Sequence, residues 1–172
     1  MKIKKPLKNH LPQLEEFFKI VISDTARREG ITISDFVDEE VIEKMKYCKN
    51  YFKKVDNISI LIALDGEKII GTISSSYCNL DIKNVIKDIK KDSMKIGTVY
   101  IHPSYQRRGI GKILLSEMYN ILKAQNVEEF YLDSGYKSAQ IYWIKNLGEP
   151  FFRAKNYWGP KIDNLIWKVK LK

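Results

Sequence analysis

The chain has 172 residues, of which 44% are hydrophobic and 30% charged, a length and composition that suit one globular domain and exclude a globally disordered chain. Its 30 basic and 21 acidic residues give a formal net charge of +9, but 25 of the basic residues are lysine and only five are arginine. Because arginine is the usual residue for bidentate phosphate and base contacts, we expect no nucleic-acid partner.

Two helices are predicted after a short first strand at residues 2–5. Asn9 is expected to cap the first helix, and Gly30 is expected to end it. A second helix is predicted from about residue 34 to residue 54, with its acidic residues first and its lysines last, an order that complements the helix dipole. The expected buried stripe of this second helix consists of Val37, Val41, Met45, Cys48, Phe52 and Val55.

The next segments show strand periodicity. Residues 58–64 are apolar on both faces, as in a central strand, and Asp65-Gly66 predicts a hairpin turn into a returning strand at 68–78. Residues 81–94 predict an inserted amphipathic helix. Its expected apolar side consists of Ile82, Val85, Ile86 and Ile89.

The second half of the chain alternates between strands and helices. The predicted elements are a strand at 96–101, a helix at about 109–125, a strand at 130–133, a helix at 136–147 and two strands near 151–157 and 165–171. The helix at 109–125 has an apolar stripe made of Ile110, Ile113, Leu114, Met118, Ile121 and Leu122. This order predicts a single α/β domain over residues 1–172, built around a mixed sheet.

Cysteine and histidine are too few to define a disulfide framework or a metal centre. Cys48 and Cys78 form no CxxC pair, and with His10 and His102 they give no spacing typical of metal ligands, so we expect reduced cysteines and no metal. The longest apolar stretch, at 58–64, is far shorter than the roughly 20 residues of a membrane span. We therefore expect a soluble, cytoplasmic protein with no membrane partner.

The start of the helix at 109–125 has the character of a phosphate site. Gly109 and Gly111 leave room for close approach to unpaired amide groups at the positive end of the helix dipole, and Arg107, Arg108 and Lys112 add positive charge. The sequence therefore predicts that a phosphate or pyrophosphate binds here.

Two common nucleotide motifs do not fit this loop. Ile113 stands where a P-loop has serine or threonine after its Gly-Lys, and Leu114 stands where a dinucleotide fingerprint has its third glycine. As a bare pattern, Gln-x-x-Gly-x-Gly fixes only three positions.

The segment resembles motif A of the GNAT superfamily, the acetyl-CoA-dependent N-acetyltransferases. The resemblance rests on a strand, then His102-Pro103, a short polar step and Gln-Arg-Arg-Gly-Ile-Gly at 106–111, and the other elements follow the superfamily's order through the whole chain. It implies the GNAT fold, α/β with a mixed central sheet of about seven strands flanked by helices, whose fourth and fifth strands splay apart. It also implies an acyltransferase that moves an acetyl group from acetyl-CoA to a primary amine of a small molecule or peptide, by direct attack in a ternary complex.

The same resemblance implies which residues bind the cosubstrate. The backbone amides of residues 107–112 are expected to cradle the CoA pyrophosphate, and the strand before the loop is expected to offer backbone groups to the pantetheine arm. The implied cofactor-binding residues are Val99, Tyr100, Ile101, Gln106, Arg107, Arg108, Gly109, Ile110, Gly111, Lys112 and, in place of the family's asparagine, Ser138.

The helix at 136–147 departs from the family pattern Asn-x-x-Ala-x-x-x-Tyr-x-x-x-Gly. Counting back from Gly148 gives Ile144, and counting on from Ala139 gives Trp143, so neither position holds the tyrosine. Tyr142 is adjacent and is the expected general acid for the leaving thiolate. The departure keeps open an alternative, a catalytically silent GNAT-like module that binds CoA or a protein partner.

The general base is left open by the sequence. Asp133 and Tyr131 are expected near the opening between the splayed strands, Glu39 or Glu40 would face it from the second helix, and a chain of waters is a further alternative. We expect His102 to be structural. Nothing in the spacing supports a nucleophilic pair of Cys78 and His102.

The acceptor side is expected to involve the second helix and the last two strands. Trp143, Tyr157 and Trp158 would line an aromatic slot for a small amine, or pack in the core. The segment at 81–94 is expected to cover the site, to mediate a homodimer, or to do neither.

Overall fold

The computed structural model describes residues 1–55 and 57–171. The strands are β1 (Lys2–Lys4), β2 (Ser59–Asp65), β3 (Lys68–Tyr77), β4 (Met94–Ile101), β5 (Glu129–Ser134), β6 (Phe152–Ala154) and β7 (Asn164–Lys170). The helices are α1 (Leu11–Glu29), α2 (Phe36–Phe52), the single turn α3 (Leu80–Lys83), α4 (Ile110–Ala124) and α5 (Lys137–Leu147). The strands form one mixed sheet in the order β1-β2-β3-β4-β5-β7-β6, which confirms the predicted fold class. In the described ranges no helix combines the length and the apolar run needed to cross a membrane.

The chain divides into two compact units, the first formed by Met1–Ser75 and Thr98–Ile121. In this unit β1, β2 and β3 are antiparallel neighbours, and α1 and α2 each bury one face. The buried cluster consists of Leu14, Phe17, Phe18, Val21, Ile22, Val41, Met45, Cys48, Ile60, Ile62, Leu64 and Ile69. Each large apolar side chain buried in this way contributes about 1.5–3 kcal/mol to folding.

The helix ends of this unit differ in part from the predictions. Asn9 does not cap α1, because it lies in a 3₁₀ turn at Lys8–His10 in which the Leu7 amide donates to His10 Nδ1 at 2.8 Å. Gly30 ends α1 as predicted, with a left-handed φ of +69°. Val55 is exposed beyond the end of α2 and does not belong to its buried stripe.

Helix α4 buries most of the predicted stripe. Ile110, Leu114, Met118 and Leu122 are buried, but Ile113 is exposed and Leu115 is buried instead. The sequence pattern therefore placed the buried face correctly to within one residue position. In the first turn of α4, Lys112 and Ile113 are exposed, so the side of the helix opposite its buried face is open to solvent there.

The second unit consists of Ser76–Gly97 and Leu122–Lys172. Strand β5 pairs antiparallel with β7 along its whole length, and the short β6 pairs with β7 at the edge. Strands β4 and β5 are parallel, and among the described residues their ladder has only two pairs, Met94 with Phe130 and Lys95 with Tyr131. The pairing thus ends well before either strand does, as expected for strands that diverge.

The helix predicted over residues 81–94 is wrong in most of its length. Only α3 is helical, and the following residues form turns in which Asp88 has a φ of +65°. Aspartate tolerates such a conformation because its side chain can bond the local backbone. The apolar residues of the segment are nevertheless used: Ile82 and Ile86 are buried with Tyr131 and Ile166. The sequence periodicity therefore predicts which residues of the segment are buried, but not the turns by which the backbone buries them.

Candidate active site

The connection between β4 and α4 is held by local hydrogen bonds. His102 follows β4 directly, and its Nδ1 accepts from the Ser104 amide at 3.3 Å as the chain enters a 3₁₀ turn at Pro103–Tyr105. The Gln106 amide side chain donates to the Ile101 carbonyl at 3.1 Å. Gln106 therefore acts as a brace between the end of the strand and the start of the loop.

The loop then adopts a conformation that turns successive amides toward one side. Arg107 and Gly109 both have positive φ, +61° and +81°, on either side of Arg108. Alternation of right- and left-handed residues makes a concave nest of N–H groups that binds anions. Within the described residues no protein acceptor is recorded for the amides of residues 107–111, whereas Lys112 and Ile113 donate to the Gly109 carbonyl.

Glycine is required at one position of this nest. Gly109 has open space where a side chain would be, so the constraint there comes from its left-handed backbone and not from a neighbouring atom. A bound anion can therefore approach the backbone closely. In the described part of the chain, the three amides of the loop at 107–109 and the two at 110–111, in the first turn of the 15-residue α4, lack a protein acceptor and match the charge and the hydrogen-bonding needs of a pyrophosphate, so the residues present fit the phosphates of CoA.

The basic side chains of the loop divide into two groups. Arg108 folds back, donating to the Ser104 carbonyl at 2.8 Å and lying 5.0 Å from the centre of the Tyr105 ring. Arg107 and Lys112 are exposed. The expectation that all three contribute freely to an anion site is thus modified, since Arg108 also stabilises the turn itself.

Two of the predicted strand residues, Tyr100 and Ile101, use their side chains for packing. The Tyr100 ring meets Phe18 edge-on at 6.1 Å, and its pKa is raised by burial and then by Glu40 and Glu43. Ile101 lies against Gly71, where an added Cβ would be 3.0 Å from its Cδ1 atom. Any ligand along this strand would therefore meet its backbone groups.

An irregularity in β4 escaped the sequence analysis. Thr98 has a φ of +52°, a conformation that β-branched residues rarely adopt. Its carbonyl accepts from Thr72 Oγ1 at 2.9 Å, which helps to hold the distortion in place. The distortion lies immediately before the three residues expected to meet the pantetheine arm, and backbone strain of this kind clusters at functional sites.

A sequence model of the Acetyltransferase (GNAT) family matches residues 19–148, most of the chain, including the loop at the start of α4. The chain belongs to this family. The sequence has no significant match among curated proteins.

Several solved GNAT structures share the fold. The PaiA N-acetyltransferase from Thermoplasma acidophilum, in complex with coenzyme A, gives a TM-score of 0.71 at 20% identity, covering 98% of each chain. The ribosomal-protein-alanine N-acetyltransferase from Brucella melitensis gives 0.72 at 18% identity, over 99% of this chain and all of that one. An aminoglycoside 6'-N-acetyltransferase complexed with coenzyme A gives 0.68 at 13% identity, over all of this chain and 98% of that one. At these identities the likeness shows the fold alone.

In this GNAT protein, α5 carries the predicted acid. Tyr142 is half-buried, its ring meets Trp143 at 4.9 Å, and burial raises the pKa of its hydroxyl. Trp143 is buried and its indole N–H is not acidic, and Ile144 has a hydrocarbon side chain, so neither can replace Tyr142 as a proton donor. Ser138, one residue into α5, is exposed.

Of the residues considered as general bases, two carboxylates, Asp133 and Glu40, already form ion pairs. Asp133 pairs with Lys95 at 3.3 Å and also accepts from Asn164 at 3.2 Å. Glu40 pairs with Lys44 at 3.0 Å, and Glu39 is exposed. Tyr131 is buried.

The structure supports structural roles for Cys78 and His102. Burial raises the pKa of the Cys78 thiol to about 12, so the thiol is neutral and is a poor nucleophile at physiological pH. His102 is buried, and burial followed by the nearby Lys68 lowers its pKa. A neutral His102 can accept the Ser104 hydrogen bond that shapes the turn.

Proposed function

We propose that this GNAT protein is an N-acetyltransferase that transfers the acetyl group of acetyl-CoA to a primary amine of a small molecule or peptide. The observation that carries the proposal is the nest of free amides at residues 107–111, in a chain whose family membership is shown. Solved structures of the same fold bound to coenzyme A support it.

The proposed contacts with the cosubstrate follow from the loop and the strand before it. The amides of residues 107–111 hold the pyrophosphate, whereas the Lys112 amide is engaged by the Gly109 carbonyl. The exposed side chains of Arg107 and Lys112 add charge, and Gln106 and Ile110 fix the loop from within. The backbone of Val99–Ile101 meets the pantetheine arm. Ser138 supplies a polar contact at the start of α5.

The proposed reaction is one displacement in a ternary complex. Acetyl-CoA supplies an activated acetyl group as a thioester. The amine, after losing its extra proton, attacks the carbonyl carbon, so that an N–C bond forms while the C–S bond breaks. Tyr142 donates its hydroxyl proton to the departing sulfur, a role suited to a group whose raised pKa keeps it protonated at neutral pH. The second proton, which the nitrogen loses as the amide forms, restores the Tyr142 hydroxyl, and the first has already passed to solvent.

Titration calorimetry with CoA tests the proposed cosubstrate site. In Gly109→Asp, we expect the affinity to fall at least about tenfold, because a carboxylate repels the phosphates and a side chain strains the left-handed backbone. The matched control is Gly66→Asp, which puts the same side chain on another positive-φ glycine, in the β2–β3 turn.

The outcomes separate clearly. Loss of CoA binding in Gly109→Asp with retention in Gly66→Asp supports the site, provided that both variants unfold at temperatures close to the wild type. If the wild type fails to bind CoA, or if Gly109→Asp binds it as tightly as the wild type, the proposal is wrong.

A further inference from the structure

Tyr105 connects the loop before α4 to the hairpin between β2 and β3. Its hydroxyl donates to Asp65 Oδ2 at 2.9 Å, a bond between residues 40 positions apart. The side-chain hydrogen bonds that Gln106 and Arg108 donate, and the one that His102 accepts, span at most five positions. The bond between Tyr105 and Asp65 is therefore a tertiary contact of the loop, whereas these other three bonds shape the connection locally.

The ring of Tyr105 also contacts the residue at the centre of the nest. The guanidinium carbon of Arg108 is 5.0 Å from the ring centre, and the Lys68 ammonium is 5.7 Å from it. Both distances lie within the range over which the face of an aromatic ring attracts a cation. Arg108 stands between Arg107 and Gly109, the two residues of the nest with positive φ. Tyr105 therefore holds the side chain of the residue about which the backbone conformation alternates.

The backbone of the nest needs support from the residues around it. Arg107 has a φ of +61°, which is unfavourable for a residue with a side chain and persists only where surrounding contacts hold it. Packing supplies little of this support, because residues 107–109 are exposed. An open cavity of about 320 Å³ also lies beside the turn, lined in part by Asp65, Tyr105 and Arg108. The hydrogen bond and the ring contact of Tyr105 therefore matter more here than they would in a packed core.

The hairpin offers Tyr105 a fixed anchor. Asp65 and Lys68 are strand partners that face each other across the β2–β3 turn, so the antiparallel ladder fixes both positions. The carboxylate receives the Tyr105 hydroxyl, and the ammonium lies over its ring. The hydrogen bond to Asp65, followed by burial, raises the pKa of Tyr105, and the hydroxyl therefore remains a donor at neutral pH.

We propose that Tyr105 is a positioning residue for CoA: anchored to Asp65, it holds Arg108 and the nest at residues 107–111 in the conformation that receives the pyrophosphate. The inference rests on the proposed function, because it concerns the same cosubstrate site. Tyr105 acts through the loop and needs no contact with CoA. A loop that is already ordered before the ligand arrives binds more tightly, since less conformational freedom is lost on binding.

Titration calorimetry with CoA at pH 7 tests this role. Tyr105→Phe keeps the ring and removes the hydroxyl, and we expect it to lower the affinity for CoA about threefold, the effect of one exposed hydrogen bond. The matched control is Tyr77→Phe, at another tyrosine that is exposed, and its affinity should equal that of the wild type. The unfolding temperature of each variant, measured in parallel, should stay close to that of the wild type.

Two substitutions at residue 65 separate the hydrogen bond from the charge. Asp65→Asn and Asp65→Ala both remove a negative charge, which by itself should strengthen the binding of an anion such as CoA. Of the two, only Asn retains a side-chain oxygen that can accept from Tyr105. We therefore expect Asp65→Ala to bind CoA about threefold more weakly than Asp65→Asn. In the background of Tyr105→Phe, which has no hydroxyl to donate, the two substitutions should give equal affinities.

The outcomes distinguish this inference from the proposed function. If the wild type binds no CoA, the proposed function is wrong and the inference is wrong with it. If the wild type binds CoA and Tyr105→Phe binds it as tightly, or if Asp65→Ala and Asp65→Asn have equal affinities, only the inference is overturned. It is also overturned if the affinity falls only in variants that unfold at a lower temperature. A difference between the two Asp65 variants that disappears in the Tyr105→Phe background supports it.

Discussion

Tyr142 is the residue on which the proposed chemistry depends most. We expect Tyr142→Phe to lower kcat about a hundredfold, the usual contribution of a positioned general acid, and to leave the affinity for CoA unchanged. The measurement is steady-state thiol release together with a CoA titration. Tyr77→Phe, at an exposed tyrosine, is the control and should retain activity. Full activity in Tyr142→Phe would remove the residue from the mechanism.

The two cysteines give a second test at the level of single residues. Burial raises the pKa of Cys48 and of Cys78 to about 12. Because the native state holds these protons more tightly than the unfolded chain, this contribution to stability is complete below the usual thiol pKa of about 9 and is lost as the pH rises toward 12. At pH 8 we therefore expect a chromogenic disulfide reagent to label neither thiol in the folded protein and both after denaturation. Rapid labelling of the native protein would contradict the burial of these thiols.

At the scale of elements, the distortion in β4 is the least predictable feature of the site. A threonine within a strand pattern indicates ordinary extended backbone, yet Thr98 is left-handed. Thr98→Gly should raise the free energy of unfolding by up to about 1 kcal/mol, because glycine adopts this conformation without steric cost. The same change at Val99, the next residue of the strand, should lower it. Chemical denaturation of both variants makes the comparison, and a clear loss of stability in Thr98→Gly would contradict the strain.

Other elements were predicted well from the sequence, for reasons that differ. The turn at Asp65-Gly66 and the end of α1 at Gly30 follow from local backbone preferences, which the sequence states directly.

The segment at 81–94, in contrast, is predicted as a helix because its apolar residues recur at helical spacing. That spacing also suits a series of turns that buries Ile82 and Ile86, and nothing local distinguishes the two.

For the whole molecule, the sequence predicted a phosphate site at the loop before α4, but not the full backbone conformation of that loop. The glycines and basic residues predicted an anion site at the start of α4, and the structure adds the left-handed Arg107 and the engaged Arg108. The net charge of +9 indicates less about the ligand than the arrangement of glycines and basic residues in this loop does.

The measurement that tests the central claim most directly is the stoichiometry of acetyl transfer. Wild-type protein is incubated with acetyl-CoA and a panel of primary amines, and free thiol and N-acetylated amine are quantified in the same reactions. We predict that at least one amine gives thiol and acetylated product in equal amounts, with no product in the absence of protein. Binding of CoA without acetylation of any amine in the panel would contradict the account and favour a CoA-binding module without catalytic activity.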